Sequence, residues 1–228
     1  MTRTIIHKNN EAFFGDEKHL EVAQKKDFAE MIFEMFGERS PNDGEPIRQA
    51  QGKLKVFELI LNLTIDHGSE TPSAVAVIEA ARAGKTISES VAAGILQIND
   101  THGGAGEGCM EILYKIKNEK LNIKNFVAEC LAVKKRIPGY GHRIYKIDPR
   151  AELIFKMMRA SGIGEDYIVI AKDIERELKA QSGKNLPVNI DGAIAVFLCA
   201  LGWKPILAKA VFIVARMPGL CGQFLNNS

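Results

Sequence analysis

From Phe28 to Leu225 the apolar residues of this chain return every three or four positions, with few of the alternating β-branched runs that a sheet needs. A chain patterned this way buries its apolar stripes by packing helix on helix, so the expected fold class is all-α. One stripe runs Phe28, Met31, Ile32, Met35 and ends at Gly37; another runs Val56, Leu59, Ile60, Leu63; a third runs Val91, Ile95, Ile98. Thr71-Pro72 opens a further helix of small residues, among them Ser73, Ala74, Ala76 and Ala80, which Gly84 stops. The polar stretch 38–46, punctuated by Pro41, Gly44 and Pro46, is the clearest linker. It divides an N-terminal helix-and-linker segment, residues 1–52, from a helical core, residues 53–228.

Composition excludes several classes. At 228 residues the chain can bury a sizeable core, and a net charge of +2 with no basic tract interleaved with aromatics gives no reason to expect nucleic acid as a partner. Cys109, Cys130, Cys199 and Cys221 are scattered without metal-ligand spacing, so the sequence predicts neither a zinc site nor a disulfide framework, and no metal. The first residues lack the apolar region of a signal peptide, and no segment offers 18 charge-free apolar residues for a membrane span. A cytoplasmic protein is expected.

Residues 138–150, Pro-Gly-Tyr-Gly-His-Arg-Ile-Tyr-Lys-Ile-Asp-Pro-Arg, carry the densest chemical information. Pro138 restricts its own φ, while Gly139 and Gly141 permit backbone angles closed to other residues, which predicts a tight loop holding His142. Asp148-Pro149 reads as an N-cap followed by proline at the first helical position, placing Arg150 in the first turn beside that loop. By itself the loop is equally an ordinary turn with a solvent-facing histidine. Gly103 to Gly108 is rich in glycine but lacks the lysine and hydroxyl residue of a phosphate loop. It reads as a close-packed helix start whose amides lie beside His102 and favour developing negative charge. The apolar segment 188–201 contains one acid, Asp191. It reads either as a helix cap or as a carboxylate whose charged form is disfavoured by desolvation, which suits proton exchange, and both readings are compatible.

The 138–150 segment resembles the signature loop of the citrate synthase superfamily, in which Pro-Gly-Tyr/Phe-Gly-His is followed by Asp-Pro-Arg. Asp66-His67-Gly68 and Ala81-Arg82-Ala83-Gly84-Lys85 look like runs in the citryl-CoA lyase portion of ATP citrate lyase. His102-Gly103-Gly104-Ala105 is similar to the His-Gly-x-Ala of the family's enolate site, Asn189-Ile190-Asp191 to its Asn-Val-Asp, and 214–219 to its later arginine-containing segment. The resemblance covers about residues 55 to 225. It implies a citrate synthase-like helical fold with a large domain and a smaller lobe at about 110–185. Only some 65 residues precede Asp66-His67, so the likeness is to a short, stand-alone citryl-CoA lyase.

What the resemblance implies is a retro-Claisen cleavage of citryl-CoA to acetyl-CoA and oxaloacetate. His142 would be the base that takes the proton of the tertiary hydroxyl, His102 would hold the enolate oxygen, and Asp191 would protonate the enolate carbon. Arg150 and Arg216 would grip the carboxylates with His67 beside them. No cofactor is implied beyond the CoA of the substrate. A condensing enzyme joining acetyl-CoA or another acyl-CoA to a 2-oxo acid, and a non-catalytic acyl-CoA-binding or partner subunit, are the alternatives. The family's further arginine near the C-terminus has no counterpart in Leu225-Asn226-Asn227-Ser228. The apolar helices near 73 and 206 predict a homo-oligomer built on dimers. A functional link to a citryl-CoA synthetase is also expected.

Overall fold

A computed structural model describes residues 4–9, 11–37, 47–100 and 102–228. The linker read at 38–46 lies outside the described residues. Among these the order is β1 (Ile5–Lys8), β2 (Glu11–Phe14), β3 (Glu17–Lys18), α1 (His19–Lys25), α2 (Phe28–Phe36), α3 (Ile47–Thr64), α4 (Pro72–Arg82), α5 (Ile87–Leu96), α6 (Ala105–Glu119), α7 (Ile123–Ala132), α8 (Pro149–Ala160), α9 (Glu165–Ser182), α10 (Ile190–Ala200) and α11 (Ile206–Leu225). The protein is predominantly helical. Its contacts divide it within α3 into two compact units, residues 1–59 and 60–228.

The first unit adds what the periodicity did not show, an antiparallel sheet in the order β1-β2-β3. Ile5 pairs with Phe14 and Lys8 with Glu11, and Phe14 pairs in turn with Glu17 across a turn containing Gly15 at φ 63°. Strands of two to four residues are too short to display an alternating pattern. The stripe on α2 is also shifted from expectation: Phe28 is 77% exposed, while Ile32 and Phe33 are buried. Phe33 wins that place by meeting Phe57 edge to face at 5.3 Å between ring centres. The fully buried Glu34 carboxylate accepts from Lys26 Nζ at 2.6 and 2.7 Å, which balances its charge.

The second unit is organised around α10. Every residue from Gly192 to Cys199 is buried, and the helix packs against α6, α8, α9 and α11. The chemical starts and stops are as read. Thr71 Oγ1 accepts from the Ala74 amide ahead of Pro72, and Gly84 leaves α4 at φ 74°. α4 lies against α5 so closely that a Cβ on Gly94 would fall 2.8 Å from the Ser73 carbonyl oxygen. Cys109, Cys130 and Cys199 are buried and Cys221 is partly so; burial pushes the Cys109 thiol up to about 12. α11 is long and apolar enough to cross a membrane by length and composition alone. It contains Lys209 and the buried Arg216, and it packs on α4, α5, α6 and α10.

Candidate active site

Two glycines shape the loop that carries His142. Gly139 and Gly141 adopt φ of 84° and 91°, and a Cβ on Gly139 would sit 2.7 Å from Cys109 Sγ and 2.9 Å from Gly192 Cα. The chain then turns back on the imidazole: the amides of Ile144 and Tyr145 donate to His142 Nδ1 at 3.0 and 3.1 Å. With Nδ1 occupied as an acceptor, a neutral ring carries its hydrogen on Nε2. Tyr145 lies against the ring, 4.6 Å between centres.

Asp148 caps α8 by accepting from the Arg150 amide at 3.1 Å, and the same carboxylate takes Arg150 Nε at 3.0 Å and Nη2 at 2.8 Å. Burial works against the charged Asp148, but the bonds and charge of Arg150 outweigh it and hold the carboxyl below its usual range. The clamp fixes the guanidinium between two histidines, with Nη1 3.4 Å from His67 Nδ1 and Nη2 3.3 Å from His142 Nε2. Arginine only donates, so His67 Nδ1 accepts and leaves its own hydrogen on Nε2. Arg150 and His142 thus present two donors side by side, an arrangement suited to a shared acceptor. The rings of His67 and His142 meet edge to face at 5.7 Å.

On the other side, Gly103 at φ 72° has no room for a Cβ against the Phe212 ring, and it turns the chain from His102 into α6. His102 Nε2 lies 2.9 Å from the hydroxyl of the fully buried Ser73, and its ring meets Phe212 at 6.3 Å. The Arg216 guanidinium stacks over that same Phe212 at 4.8 Å and donates from Nε to the Thr64 carbonyl at 2.8 Å. Its buried Nη1 has no hydrogen-bond partner among the described residues. Asp66 holds the segment before His67 by accepting from the Gly68 amide and from Gln223. Asn189, not Asp191, caps α10; Asp191 is the second helical residue and, with His142, lines a cavity of about 1050 Å³.

All six residues singled out from the sequence therefore fall in one region of the second unit. His67, Arg150 and His142 are in direct contact, His102 and Arg216 share Phe212, and Asp191 feels both arginines. Ser73, Asp148, Tyr145 and Asn189 complete it. The sequence reading took Ser73 for a packing residue and Asp148 for a cap, and had no signal for Tyr145.

The electrostatics separate the groups. Burial first, then the nearby Arg150, lowers His67. Burial lowers His142 as well. His102 falls to about 4, chiefly by burial, with Arg216 and Arg143 adding to it. Burial lifts the Asp191 carboxyl to about 6, against the pull of Arg150 and Arg216. Near neutrality the site thus offers three neutral imidazoles, two cationic forks and one acid able to gain or lose a proton.

The model of the citrate synthase C-terminal domain matches residues 2–228. The chain belongs to the citrate synthase family. The structure of citryl-CoA lyase from Hydrogenobacter thermophilus is 32% identical and superposes with a TM-score of 0.87, over all of this chain and 86% of that one. ATP citrate lyase from Methanosaeta concilii shares the fold at 23% identity, with a TM-score of 0.85 over 99% of this chain and 38% of its own. The probable ATP-citrate synthase subunit 1 of Schizosaccharomyces pombe is 34% identical over 190 residues, 76% of this chain and 31% of that protein. The chain thus spans less than a third of the length of that relative.

Proposed function

We propose that this citrate synthase-family enzyme is a citryl-CoA lyase, cleaving citryl-CoA to acetyl-CoA and oxaloacetate. The observation that carries the reading is the contact of Arg150 with His67 and His142 beside a cavity lined by His142 and Asp191, the acid poised at about 6 under the pull of Arg150 and Arg216. The likeness to the Hydrogenobacter lyase supports it.

Cleavage moves one proton overall, from the tertiary hydroxyl to the carbon that becomes the acetyl methyl. Arg150 and His142 converge on the oxygen that changes from hydroxyl to ketone. For cleavage the ring first gives its Nε2 hydrogen to water, and the two amides that donate to Nδ1 favour the resulting negative charge; Nε2 then takes the hydroxyl proton as the carbon bond breaks. As the carbon bond breaks, charge moves to the thioester oxygen, where His102, fixed by Ser73 and flanked by the first amides of α6, donates to it; one such donor is worth about 10²- to 10³-fold in rate. Protonated Asp191 then delivers its proton to the enolate carbon and is reprotonated from water, which returns the proton that His142 gave up, so that one proton has moved from hydroxyl to carbon. Arg216, with a free Nη1, and Arg150 each take a carboxylate of the citryl group. The cavity lining includes the apolar Leu131, Ile137 and Leu186 and the cations Lys134, Lys135 and Arg136, a combination that suits pantetheine and the CoA phosphates.

The resting Nε2–H of His142 favours a second direction on the same residues, condensation of acetyl-CoA with a 2-oxo acid, since it is preset to donate to a ketone oxygen. The same proposal extends to a cytoplasmic homo-oligomer with a smaller lobe near residues 110–185, needing no cofactor beyond substrate CoA and supplied by a citryl-CoA synthetase. The test is to mix the purified protein with citryl-CoA and follow oxaloacetate with malate dehydrogenase and NADH. Release that disappears in Asp191→Asn is expected. No release from the parent overturns the lyase reading, leaving condensation or a non-catalytic acyl-CoA-binding role to be decided by the reverse assay.

A further inference from the structure

We infer that Asn189 is a positioning residue whose side-chain amide locks the His142 loop to the helix that carries Asp191. The two segments come from distant parts of the chain, yet their backbones run together as a short ladder. The Gly141 amide donates to the Pro187 carbonyl at 2.8 Å, the Asn189 amide donates to the Gly139 carbonyl at 3.0 Å, and Tyr140 bridges to Val188 between them. The Asn189 side chain then extends the ladder at both ends. Its Oδ1 accepts from the Gly192 amide at 3.1 Å and caps α10. Its Nδ2 donates to the Gly141 carbonyl at 2.9 Å, the peptide that leads directly into His142.

An amide is the only short side chain that accepts with one atom and donates with the other in a plane. An aspartate keeps the cap and turns a carboxylate oxygen towards the Gly141 carbonyl. A serine keeps the cap but lacks the second arm. The contact has no slack: Gly141 is at φ 91°, and a Cβ on Gly192 would run into the Gly139 carbonyl. With the Nδ2 bond in place, the imidazole of His142, one residue beyond one ladder strand and oriented by Ile144 and Tyr145, is tied to the position of Asp191, two residues beyond the other. The two groups that exchange protons with the substrate are therefore held in register by a residue that touches neither proton. Misplacement of reacting groups by about 1 Å costs on the order of 10²-fold in rate.

This inference rests on the lyase reading for its catalytic consequence, but the tie itself is testable without turnover. Asn189→Ser and Asn189→Asp are compared with the parent for thermal unfolding, for kcat and KM on citryl-CoA, and for the ¹⁵N-histidine spectrum. The expected result is retained folding, kcat lower by roughly 10- to 100-fold with KM within about twofold, and a His142 signal that loses the single Nε2–H tautomer. Aspartate should be the worse of the two. Wild-type kcat in both variants overturns the proposal. So does a loss of activity that matches the loss of folded protein. Were the parent itself inactive, the lyase reading would fail separately, and unchanged His142 signals in both variants would then overturn the tie.

Discussion

Replacing Asp191 by asparagine should make the protein more stable and nearly inactive, and the size of the gain follows from where the carboxyl sits. Its pKa rises from an ordinary 3.8 to about 6, with burial as the cause and two arginines opposing it. Below pH 4 both folded and unfolded chains hold the proton and burial costs nothing extra. Between 4 and 6 the unfolded chain ionises while the folded one does not, so stability falls as pH rises, and above 6 the whole penalty is present. About two pH units at 1.36 kcal/mol each give roughly 3 kcal/mol at pH 8; the same linkage leaves about 1 kcal/mol at pH 4.5. Asparagine has nearly the same shape and no charge to desolvate. Guanidinium unfolding of parent and Asp191→Asn at both pH values measures the difference. A gain near 3 kcal/mol at pH 8 that shrinks towards 1 at pH 4.5 is expected, alongside a rate loss of about 10²- to 10⁴-fold. An equal gain at both pH values, or a loss of stability at pH 8, would refute the claim that this acid is held against its own solvation.

Three further outcomes follow from the same structure. Cleavage needs protonated Asp191 and condensation needs the ionised form, so kcat profiles should fall above about pH 6 in the first direction and rise through it in the second. His102, at about 4, should add no limb between pH 5 and 8. Gly219→Ala gains about 1 kcal/mol of helix propensity, yet its Cβ would run into the Ile65 carbonyl oxygen and push α11 off the segment that receives Arg216. A net loss of roughly 1 to 3 kcal/mol is expected, lowering Tm by about 2 to 12 °C in calorimetry. Neutralising Lys134 and Lys135 together should raise KM for citryl-CoA several-fold with kcat retained, and the effect should fade in high salt.

Much of this site was legible because its signals are local. Proline, glycine and cap residues act on their own few neighbours, so the loop at His142, the start of α8 at Asp148-Pro149 and the stop of α4 at Gly84 were all readable as spelled. The illegible parts are set by contacts between distant residues. Ser73 reaches His102 across 29 positions and Arg150 reaches His67 across 83, distances over which a hydroxyl carries no mark of its partner. The cap of α10 shows the same limit at short range. Asn189 and Asp191 are both good caps, and the choice fell to Asn189 because its second arm has the Gly141 carbonyl to bond.

The protonation states of the site also depend on one another. If His67, His102 or His142 were charged, each would add a cation near Asp191 and draw its pKa back towards the ordinary range, removing the proton that cleavage must deliver. Burial prevents this twice, by lowering the imidazoles and by raising the acid, while Asp148, paired with Arg150, offsets that cation's charge. That leaves Arg150 and Arg216 as the two cations for a citryl group with two free carboxylates. A substrate with one carboxylate fewer would leave the stacked, half-bonded Arg216 buried with its Nη1 unmet, a cost of about 1 to 3 kcal/mol. Discrimination against such acyl-CoAs should therefore reach roughly 5- to 150-fold in kcat/KM and should collapse in Arg216→Met, where nothing is left wanting a partner.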